Sequence, residues 1–365
     1  MSYKNRSYPL SQKGRGAPSN AVPQRFNLQG RELDGDWLDE RDQIGDRPTK
    51  LKTDVTIEFP KSIINYNGSP DLPFDRSINA YRGCEHGCVY CFARPTHAYH
   101  DLSPGLDFET KLFAKPNAAD LLRQTFAKST YQPASLAIGT NTDPYQPIEK
   151  NYRITRQILE VMLETLHPVA ITTKSNRVVE DSDLLVQLTA RQLTAVAISI
   201  TTLNSKTARL LEPRAPSPAL RLDAVQKLSD LGIYVHVNVA PVVPGITDHE
   251  IEAIVSAAAD CGAKSISFIP MRLPHEVAPL FEQWLETHYP DRKSKVMSIV
   301  MQMRGGKRND PDFYSRMRGQ GPWADLIRTR IAIASRKAGL NKTKINLRVD
   351  LFQRPLVTGS QLELF

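Results

Sequence analysis

Short apolar runs alternate with amphipathic segments between residues 75 and 270 of the chain. The runs have the length of buried strands, and the segments between them have the apolar spacing of helices that bury one face. The apolar runs cover 135–139, 169–174, 195–201, 234–242 and 265–270. The amphipathic segments cover 117–128, 152–166, 180–191, 217–231 and 248–260. This alternation predicts βαβ units, which form a parallel sheet with right-handed crossovers.

The segment just before the first cysteine, residues 77–83, supplies a sixth predicted strand. Six βα units are too few to close an eightfold barrel. They fit a partial α/β barrel or a doubly wound sheet, and hydrophobic periodicity does not distinguish the two. In both architectures ligands bind at the carboxyl ends of the strands. The polar residues that follow each apolar run are therefore the candidate site residues.

The two ends of the chain have different patterns. Residues 1–55 are rich in Gly, Pro, Ser and Asn and predict a flexible or loosely docked extension. The central region, 70–300, carries the βα units. The remainder, 301–365, is predicted to be a helical capping segment. After the last unit the predicted elements are helices over 276–288, 293–304 and 323–338 and a late strand over 345–353.

Composition and charge place the chain among ordinary soluble proteins. Of 365 residues, 41% are hydrophobic and 24% are charged. No apolar run reaches the roughly 18 residues of a membrane helix, and the N-terminus lacks the apolar region of a secretory signal. A cytoplasmic protein with no membrane partner is therefore expected. The net charge of +8 permits a nucleic-acid partner without requiring one.

The cysteine pattern is the most informative feature of the sequence. The four cysteines are Cys84, Cys88, Cys91 and Cys261. Three clustered thiols with one distant thiol do not make a disulfide framework. The cluster has the spacing C-x3-C-x2-C, which lets one short loop wrap a face of a [4Fe–4S] cube and leaves the fourth iron without a cysteine. An iron left open in this way is a place for another ligand to bind.

A zinc site is the alternative interpretation of the same thiols. Soft thiolates suit zinc as well as iron–sulfur clusters, and a structural zinc site needs a fourth ligand. The neighbouring histidines available for that role are His86, His97 and His100. A second, non-catalytic hypothesis follows, namely a zinc-stabilised nucleic-acid-binding protein.

The motif Cys84-Glu85-His86-Gly87-Cys88-Val89-Tyr90-Cys91, with an aromatic residue before the last cysteine, resembles the radical SAM signature. Its position after a first strand and before repeated βα units is similar to the partial (β/α)6 barrel of that family. The resemblance covers about 70–300. The sequence on either side of the motif, from FDRSINAYRG to FETKLFAK, resembles the branch of this family near spore photoproduct lyase.

The resemblance implies a mechanism and two cofactors, a [4Fe–4S] cluster and S-adenosylmethionine (SAM). Three cysteines would hold three irons, and SAM would chelate the fourth through its amino and carboxylate groups. One electron from the reduced cluster would cleave SAM to methionine and a 5′-deoxyadenosyl radical, which would abstract a substrate hydrogen. An electron donor such as flavodoxin or ferredoxin would be a partner. The substrate is unknown; the basic balance and the lyase-like branch favour nucleic acid.

The resemblance also implies SAM contacts at the strand ends, where the residues can equally have ordinary roles. The implied SAM-binding residues are Tyr90, Thr142, Asp143, Lys174, Ser199 and Arg214. An ammonium group needs acceptors such as those of 139–147, although that stretch also reads as a turn. Lys174 would pair with the SAM carboxylate or be an exposed lysine. Arg214 would bind a carboxylate of the ligand or pair with Glu212.

Two further features remain outside this scheme. Spore photoproduct lyase uses an additional cysteine as a hydrogen donor, and the matching stretch here has none; Cys261 reads as a small buried residue. The late region is locally basic, with aromatic residues interleaved. Its members are Arg304, Lys307, Arg308, Tyr314, Arg316, Arg318 and Trp323. Such a set would bind nucleic acid through phosphates and stacking, or be a charged surface beside core aromatics.

Overall fold

The computed structural model describes residues 14–21 and 51–355, so most of the predicted N-terminal extension lies outside the described residues. The strands are β1 (Asp54–Ile57), β2 (Ile64–Tyr66), β3 (Arg76–Ile78), β4 (Tyr81–Arg82), β5 (Lys111–Ala114), β6 (Leu136–Ile138), β7 (Val169–Thr173), β8 (Thr194–Ser199), β9 (Val235–Val242) and β10 (Ser265–Pro270). The helices are α1 (Asp107–Thr110), α2 (Ala118–Ala127), α3 (Glu149–Tyr152), α4 (Ile154–Glu164), α5 (Ser182–Thr189), α6 (Ser205–Leu211), α7 (Pro218–Asp230), α8 (Ile251–Asp260), α9 (Val277–His288), α10 (Pro290–Met303) and α11 (Gly321–Lys337). Within these ranges no helix is both long and apolar enough to cross a membrane.

The main sheet has the predicted parallel topology. Within the described residues its strand order is β10-β9-β8-β7-β6-β3-β2. Adjacent strands from β3 through β6 to β10 pair in parallel, and β2 pairs with β3 antiparallel. The sheet is open, because β10 and β2 are not joined. The prediction of a partial (β/α)6 barrel with a C-terminal helical segment is confirmed.

The two faces of this sheet carry different side chains. Paired residues of neighbouring strands point to the same face, and alternate residues point to opposite faces. One face is apolar and packs with helix residues in the main core: Leu136, Ile138, Val169, Ile171, Val196, Ile198, Val235 and Val237. The other face is small or polar: Ser77, Ala137, Ala170, Thr172, Ala195, Ala197, Ser199, His236, Asn238, Ser265 and Ser267. The small, polar face is therefore the candidate ligand-binding face of the sheet.

The segment predicted as one strand before the first cysteine is two strands in two sheets. Strand β3 pairs with β6 in the main sheet, whereas β4 pairs with β5 in a small sheet of order β1-β5-β4. Asn79 lies at the break, and its side-chain oxygen accepts a hydrogen bond from the Asn141 amide at 2.9 Å. The chain therefore leaves the main sheet where its parallel strands end, a side that we call the carboxyl edge. The cysteine loop begins there.

The late strand predicted over 345–353 is wrong. This segment crosses beneath the amino ends of the strands, and its amides bond to separate connections: Arg348 to the Gln192 carbonyl at 3.0 Å and Gln353 to the Thr165 carbonyl at 2.8 Å. A chain that runs across strands meets each of them once and cannot form a ladder. The three helices predicted after residue 270 are confirmed as α9, α10 and α11 within a few residues.

Acid is expected to weaken this fold through His167. The imidazole stacks on Phe126 with ring centroids 4.5 Å apart, and burial lowers its pKa from 6.5 to about 4. The unfolded chain therefore binds this proton first as the pH falls. The contribution of His167 is complete above pH 6.5 and is lost towards pH 4. Between pH 7 and pH 4.5, the free energy of unfolding in urea should fall by about 2 kcal/mol more in the wild type than in His167→Gln. Equal losses would contradict this assignment.

Candidate functional site

The cysteine loop follows β4 and lies at the carboxyl edge of the main sheet. Cys84 and Cys88 are buried, and Cys91 is half-buried. Two backbone hydrogen bonds attach the loop to other parts of the chain. The Cys84 amide donates to the Phe108 carbonyl at 2.9 Å, and the Val89 amide donates to the Leu211 carbonyl at 3.1 Å. All three thiols are free of disulfide bonds. One short loop therefore carries three free thiols that lie close enough to interact electrostatically.

Two glycines make the tight path of this loop possible. Gly83 and Gly87 have φ of +72° and +68°, a left-handed backbone that side chains disfavour. A Cβ on Gly83 would also lie 2.8 Å from the Phe108 carbonyl oxygen, and one on Gly87 would lie 2.7 Å from the Glu109 carboxylate. Both positions thus need glycine for conformation and for space.

A buried arginine holds the loop in shape. The Arg94 guanidinium is fully buried and donates to the Cys88 carbonyl at 2.8 Å and to the Gly87 carbonyl at 3.2 Å. It also pairs with the equally buried Glu109 carboxylate at 2.5 Å. Further bonds run to the Pro104 and Gly105 carbonyls. Arg94 thus connects the middle of the loop to the chain on its far side.

The chemistry of the thiols fits a metal cluster. Burial raises the pKa of Cys84, Cys88 and Cys91, so these thiols favour the protonated form unless a cation is bound. The nearby Lys174 ammonium acts in the opposite direction on Cys88 and Cys91. Cys261 lies between the end of α8 and the start of β10, on the side of the sheet where the strands begin. It is therefore too far from the cysteine loop to be a fourth ligand. The candidate ligands are therefore the three thiols of the loop.

Asp143 organises the end of β7 and faces the loop. Its carboxylate accepts from the Thr173 hydroxyl at 2.6 Å and from the Lys174 amide at 2.7 Å, and lies 3.3 Å from His86 Nδ1. Burial alone would raise the pKa of Asp143. The interactions of the carboxylate with His86, Thr173 and Lys174 outweigh burial and lower the pKa of Asp143 to about 2. Asp143 is therefore a largely buried carboxylate that ties β7 to the cysteine loop.

A second buried carboxylate, Glu212, anchors Tyr90. The Glu212 carboxylate accepts from the Tyr90 hydroxyl, from Thr201 at 2.7 Å and from the Arg221 guanidinium. Burial alone would raise its pKa, but Arg221 and Lys174 lower it to about 2. The Lys174 ammonium lies 3.7 Å from Glu212 and 5.8 Å from the Tyr90 ring centroid. Tyr90 and Lys174 are therefore brought together beside the cysteines.

The remaining implied residues lie on the same edge with different partners. The Thr142 hydroxyl donates to the Gly83 carbonyl at 2.7 Å, which fixes the start of the cysteine loop. Arg214 pairs with Glu85 at 2.9 Å, and its Nε has no hydrogen-bond partner among the described residues. The alternative pairing of Arg214 with Glu212 is wrong. The Ser199 carbonyl accepts from Arg221 at 3.0 Å.

Several residues that build the site were not singled out from the sequence. Gln146 accepts from the Glu85 amide and donates to the Gly83 carbonyl. Arg94 and Glu109 hold the loop, and Arg221 holds Glu212. These residues share no motif spacing. Their signal in the sequence is only that charged or polar residues stand in otherwise apolar or loop segments.

The basic late region does not form one charged surface. Arg304 is buried and donates to the carbonyls of Pro270 and Met271, so it is structural. Arg316 pairs with Asp71 at 2.6 Å and Arg308 with Glu282 at 2.6 Å. The expectation of a basic nucleic-acid patch here is not supported, because most of its charges are already neutralised or buried.

The histidines do not complete a zinc site. The His97 Nε2 lies 2.8 Å from the Lys111 carbonyl, and His86 faces Asp143. Within residues 14–21 and 51–355, no group of three His, Cys, Asp or Glu side chains is arranged to hold one metal ion.

Comparison with known proteins gives a consistent picture. Residues 78–258 match the radical SAM superfamily. An uncharacterised protein of Mycobacterium tuberculosis is 33% identical over 230 residues, which are 62% of this chain and 68% of that protein. A radical SAM Nα-GlyT isomerase of Pseudomonas phage M6 is 28% identical over 169 residues, covering 46% of this chain and 33% of that protein.

A solved structure of a spore photoproduct lyase mutant has a TM-score of 0.53 to this chain. Its sequence identity is 14%, and the likeness covers 83% of this chain and 91% of the lyase chain, so it concerns the fold. Neither the comparisons nor the geometry supports the non-catalytic zinc alternative. With its three-cysteine loop at the carboxyl edge of a partial barrel, this chain belongs to the radical SAM superfamily and is a radical SAM enzyme.

Proposed function

We propose that Cys84, Cys88 and Cys91 hold one [4Fe–4S] cluster and that SAM binds beside it to start hydrogen abstraction from a substrate. The observation that carries this proposal is the loop itself, which presents three free thiols at the carboxyl edge of the sheet. Thiolates are the usual protein ligands of iron–sulfur clusters. The absence of a fourth nearby thiol matches a cluster with one iron left for SAM.

The bound cluster would supply one electron that breaks the sulfonium bond of SAM to give methionine and a 5′-deoxyadenosyl radical. The residues of this chain would bind and orient SAM and would exclude water from it. The small polar face of the sheet offers the space, and the buried charges of Asp143 and Glu212 fix the strand ends around it. An external one-electron carrier such as flavodoxin or ferredoxin would be the partner that reduces the cluster.

Among the proposed SAM contacts, Lys174 has the strongest geometric support. Its ammonium lies near Tyr90, Glu212 and the cysteines, so it would pair with the SAM carboxylate. Ser199, on the small polar face, would contact the ribose. Arg214 would use its unpartnered Nε toward a ligand carboxylate.

Thr142, Asp143 and Tyr90 are proposed to shape the SAM site as well as to line it. The Thr142 hydroxyl is hydrogen-bonded to Gly83, and the Asp143 carboxylate accepts hydrogen bonds at the end of β7. The Tyr90 hydroxyl is held by Glu212, which leaves the ring beside Lys174 as the available surface. A flat ring fixed in this way suits contact with the SAM molecule through its face.

Loss of the Lys174 charge is expected to weaken SAM binding. A charge-assisted hydrogen bond contributes about 1.5–3 kcal/mol, so Lys174→Met should raise the dissociation constant of SAM about 10- to 100-fold. Lys227→Met on the exposed face of α7 is the matched control, because the Lys227 ammonium is exposed and pairs with Asp223 on its own helix. Equilibrium binding of SAM to anaerobically prepared protein measures both. Equal SAM affinities in the two variants would show that Lys174 does not bind SAM.

Nucleic acid is the proposed substrate class. It is supported by the net charge of +8 and by Arg272, which lies 4.6 Å over the ring of the exposed Phe92, next to Cys91. An exposed aromatic ring beside an arginine suits a stacked base and its phosphate. Binding of a single-stranded oligonucleotide should weaken steeply between low and moderate salt and should be reduced in Phe92→Ala. No binding at low salt would exclude this substrate class.

The proposed reaction is tested by reductive SAM cleavage. Anaerobic protein is incubated with SAM and dithionite, and methionine and 5′-deoxyadenosine are measured over time. We expect both products in equal amounts and neither without reductant. A chain that carries its cluster and binds SAM, yet forms neither product with any reductant, would contradict the proposal.

A further inference from the structure

A short N-terminal segment, residues 14–21, lies against the outside of the cysteine loop; we call it the strap. The Gly16 and Ala17 amides both donate to the Glu109 carboxylate, at 3.0 and 2.7 Å. The Arg15 guanidinium donates to the Glu109 carbonyl at 2.8 Å. Glu109 is the partner of Arg94, which holds the loop. The strap is therefore linked to the backbone of the cysteine loop through Glu109 and Arg94.

The strap also touches the loop directly. A Cβ placed on Gly16 would lie 1.7 Å from the Gly87 carbonyl oxygen and 3.3 Å from the Val89 amide nitrogen. Gly16 does not have a left-handed φ, so glycine is needed here for space. The contact covers the loop backbone at Gly87 and Val89, both of which are buried.

The other end of the strap is fastened separately. The Asn20 side chain donates to the Asp107 carboxylate at 3.1 Å and accepts from the Asp107 amide at 3.0 Å. A Cβ on Gly105 would lie 2.0 Å from the Ser19 carbonyl oxygen. The strap thus has two independent attachments, one at Gly16 beside the cysteines and one at Gly105 beside α1.

We propose that the strap is part of the cluster site and positions the cysteine loop through Glu109 and Arg94, with Arg15, Gly16 and Ala17 as positioning residues. The inference rests on the proposed function, since it assigns the strap to the cluster that the cysteines would hold. The fully buried Glu109 carboxylate needs several donors to compensate its lost hydration. The strap supplies two of them, and without it Glu109 and Arg94 open to water and the loop loosens.

Two alanine variants test the strap from opposite sides. Gly16→Ala pushes the strap off the loop, and Asn20→Ala removes the two hydrogen bonds that fasten the other end of the strap to Asp107. Gly68→Ala is the matched control, because a Cβ there has no atom within 4 Å and Gly68 does not have a left-handed φ. None of the three residues is a cysteine or a proposed SAM contact.

The first measurement uses the iron-free chain. Hydrogen exchange of the peptide covering 84–94 should be at least about tenfold faster in both strap variants than in the control, as expected for the loss of one or two hydrogen bonds. Unchanged exchange in both variants would overturn the proposal. Faster exchange in Gly16→Ala alone would also overturn it, since that result needs only a local clash.

The second measurement uses the chain loaded anaerobically with iron and sulfide. Cluster absorbance should bleach severalfold faster in air in both strap variants, and the midpoint potential should rise because water stabilises the more negative reduced form. Unchanged bleaching and potential would show a strap that is structural only. If even the wild type takes up no cluster, the proposed function fails, whereas the exchange result still decides whether the strap holds the loop.

Discussion

Replacing any one of Cys84, Cys88 and Cys91 with alanine is expected to reduce the iron content from about four atoms per chain to fewer than about one. Each thiol would hold a different iron, so two thiols cannot keep the cube in a site with no fourth cysteine. Reductive cleavage of SAM should then fall below detection. Iron and acid-labile sulfide are measured after anaerobic reconstitution of each purified variant.

Cys261→Ala is the matched control for these variants. Cys261 follows α8 at the opposite edge of the sheet, so its loss should leave iron, sulfide and SAM cleavage at wild-type values. Iron loss in Cys261→Ala equal to that of the loop variants would show that the ligand set differs from the one assigned. Full iron content in any single loop variant would have the same meaning for that cysteine.

Arg94→Met is expected to destabilise the iron-free chain by about 3–5 kcal/mol. The change leaves the fully buried Glu109 carboxylate without its cation and strips the Gly87 and Cys88 carbonyls of their donor. Methionine fills much of the volume, so the loss measures charge and hydrogen bonding more than packing. Urea unfolding of the iron-free proteins gives the free-energy difference without a contribution from the cluster.

The exposed pair of Arg123 and Glu164 provides the comparison for Arg94. Their side chains are 41% and 44% exposed and lie 2.9 Å apart. Water and salt screen such a pair, so Arg123→Met should cost at most about 1 kcal/mol. Equal losses in the two variants would mean that Arg94 contributes no more than a surface ion pair and does not hold the loop.

The repeating part of the fold was predictable because its signal is local. The strand runs and the helical segments between them were placed within a few residues, as at β7 and α7. Burial on one side imposes a period of two on strands and 3.6 on helices, and both periods are visible in the sequence. The position of the cysteine loop followed from the same argument, since it comes at the end of a strand.

The connections that surround the site were not predictable in this way. The break at Asn79, the course of 345–353 across the strands and the contact of the strap with Glu109 all depend on partners far away in sequence. The apolar residues Leu351 and Phe352 gave 345–353 the appearance of a strand, but they pack under the main core without a ladder.

The charged residues of the site illustrate the same limit. Arg214 and Glu212 are close in sequence and were a reasonable pair, yet each is bound to a different residue, Glu85 and Arg221. Glu85 is 129 positions from Arg214 along the chain. Spacing identifies which residue types can ligate a cluster, whereas burial and long-range pairing decide which charges remain free for a ligand.

The most direct test of the account is the metal content of the wild-type chain purified without oxygen. Iron, acid-labile sulfide and zinc are quantified per chain together with the absorption spectrum. We expect about four irons and about four sulfides per chain and no stoichiometric zinc. One zinc per chain with no sulfide, persisting after anaerobic reconstitution with iron and sulfide, would contradict the assignment of the three-cysteine loop to an iron–sulfur cluster.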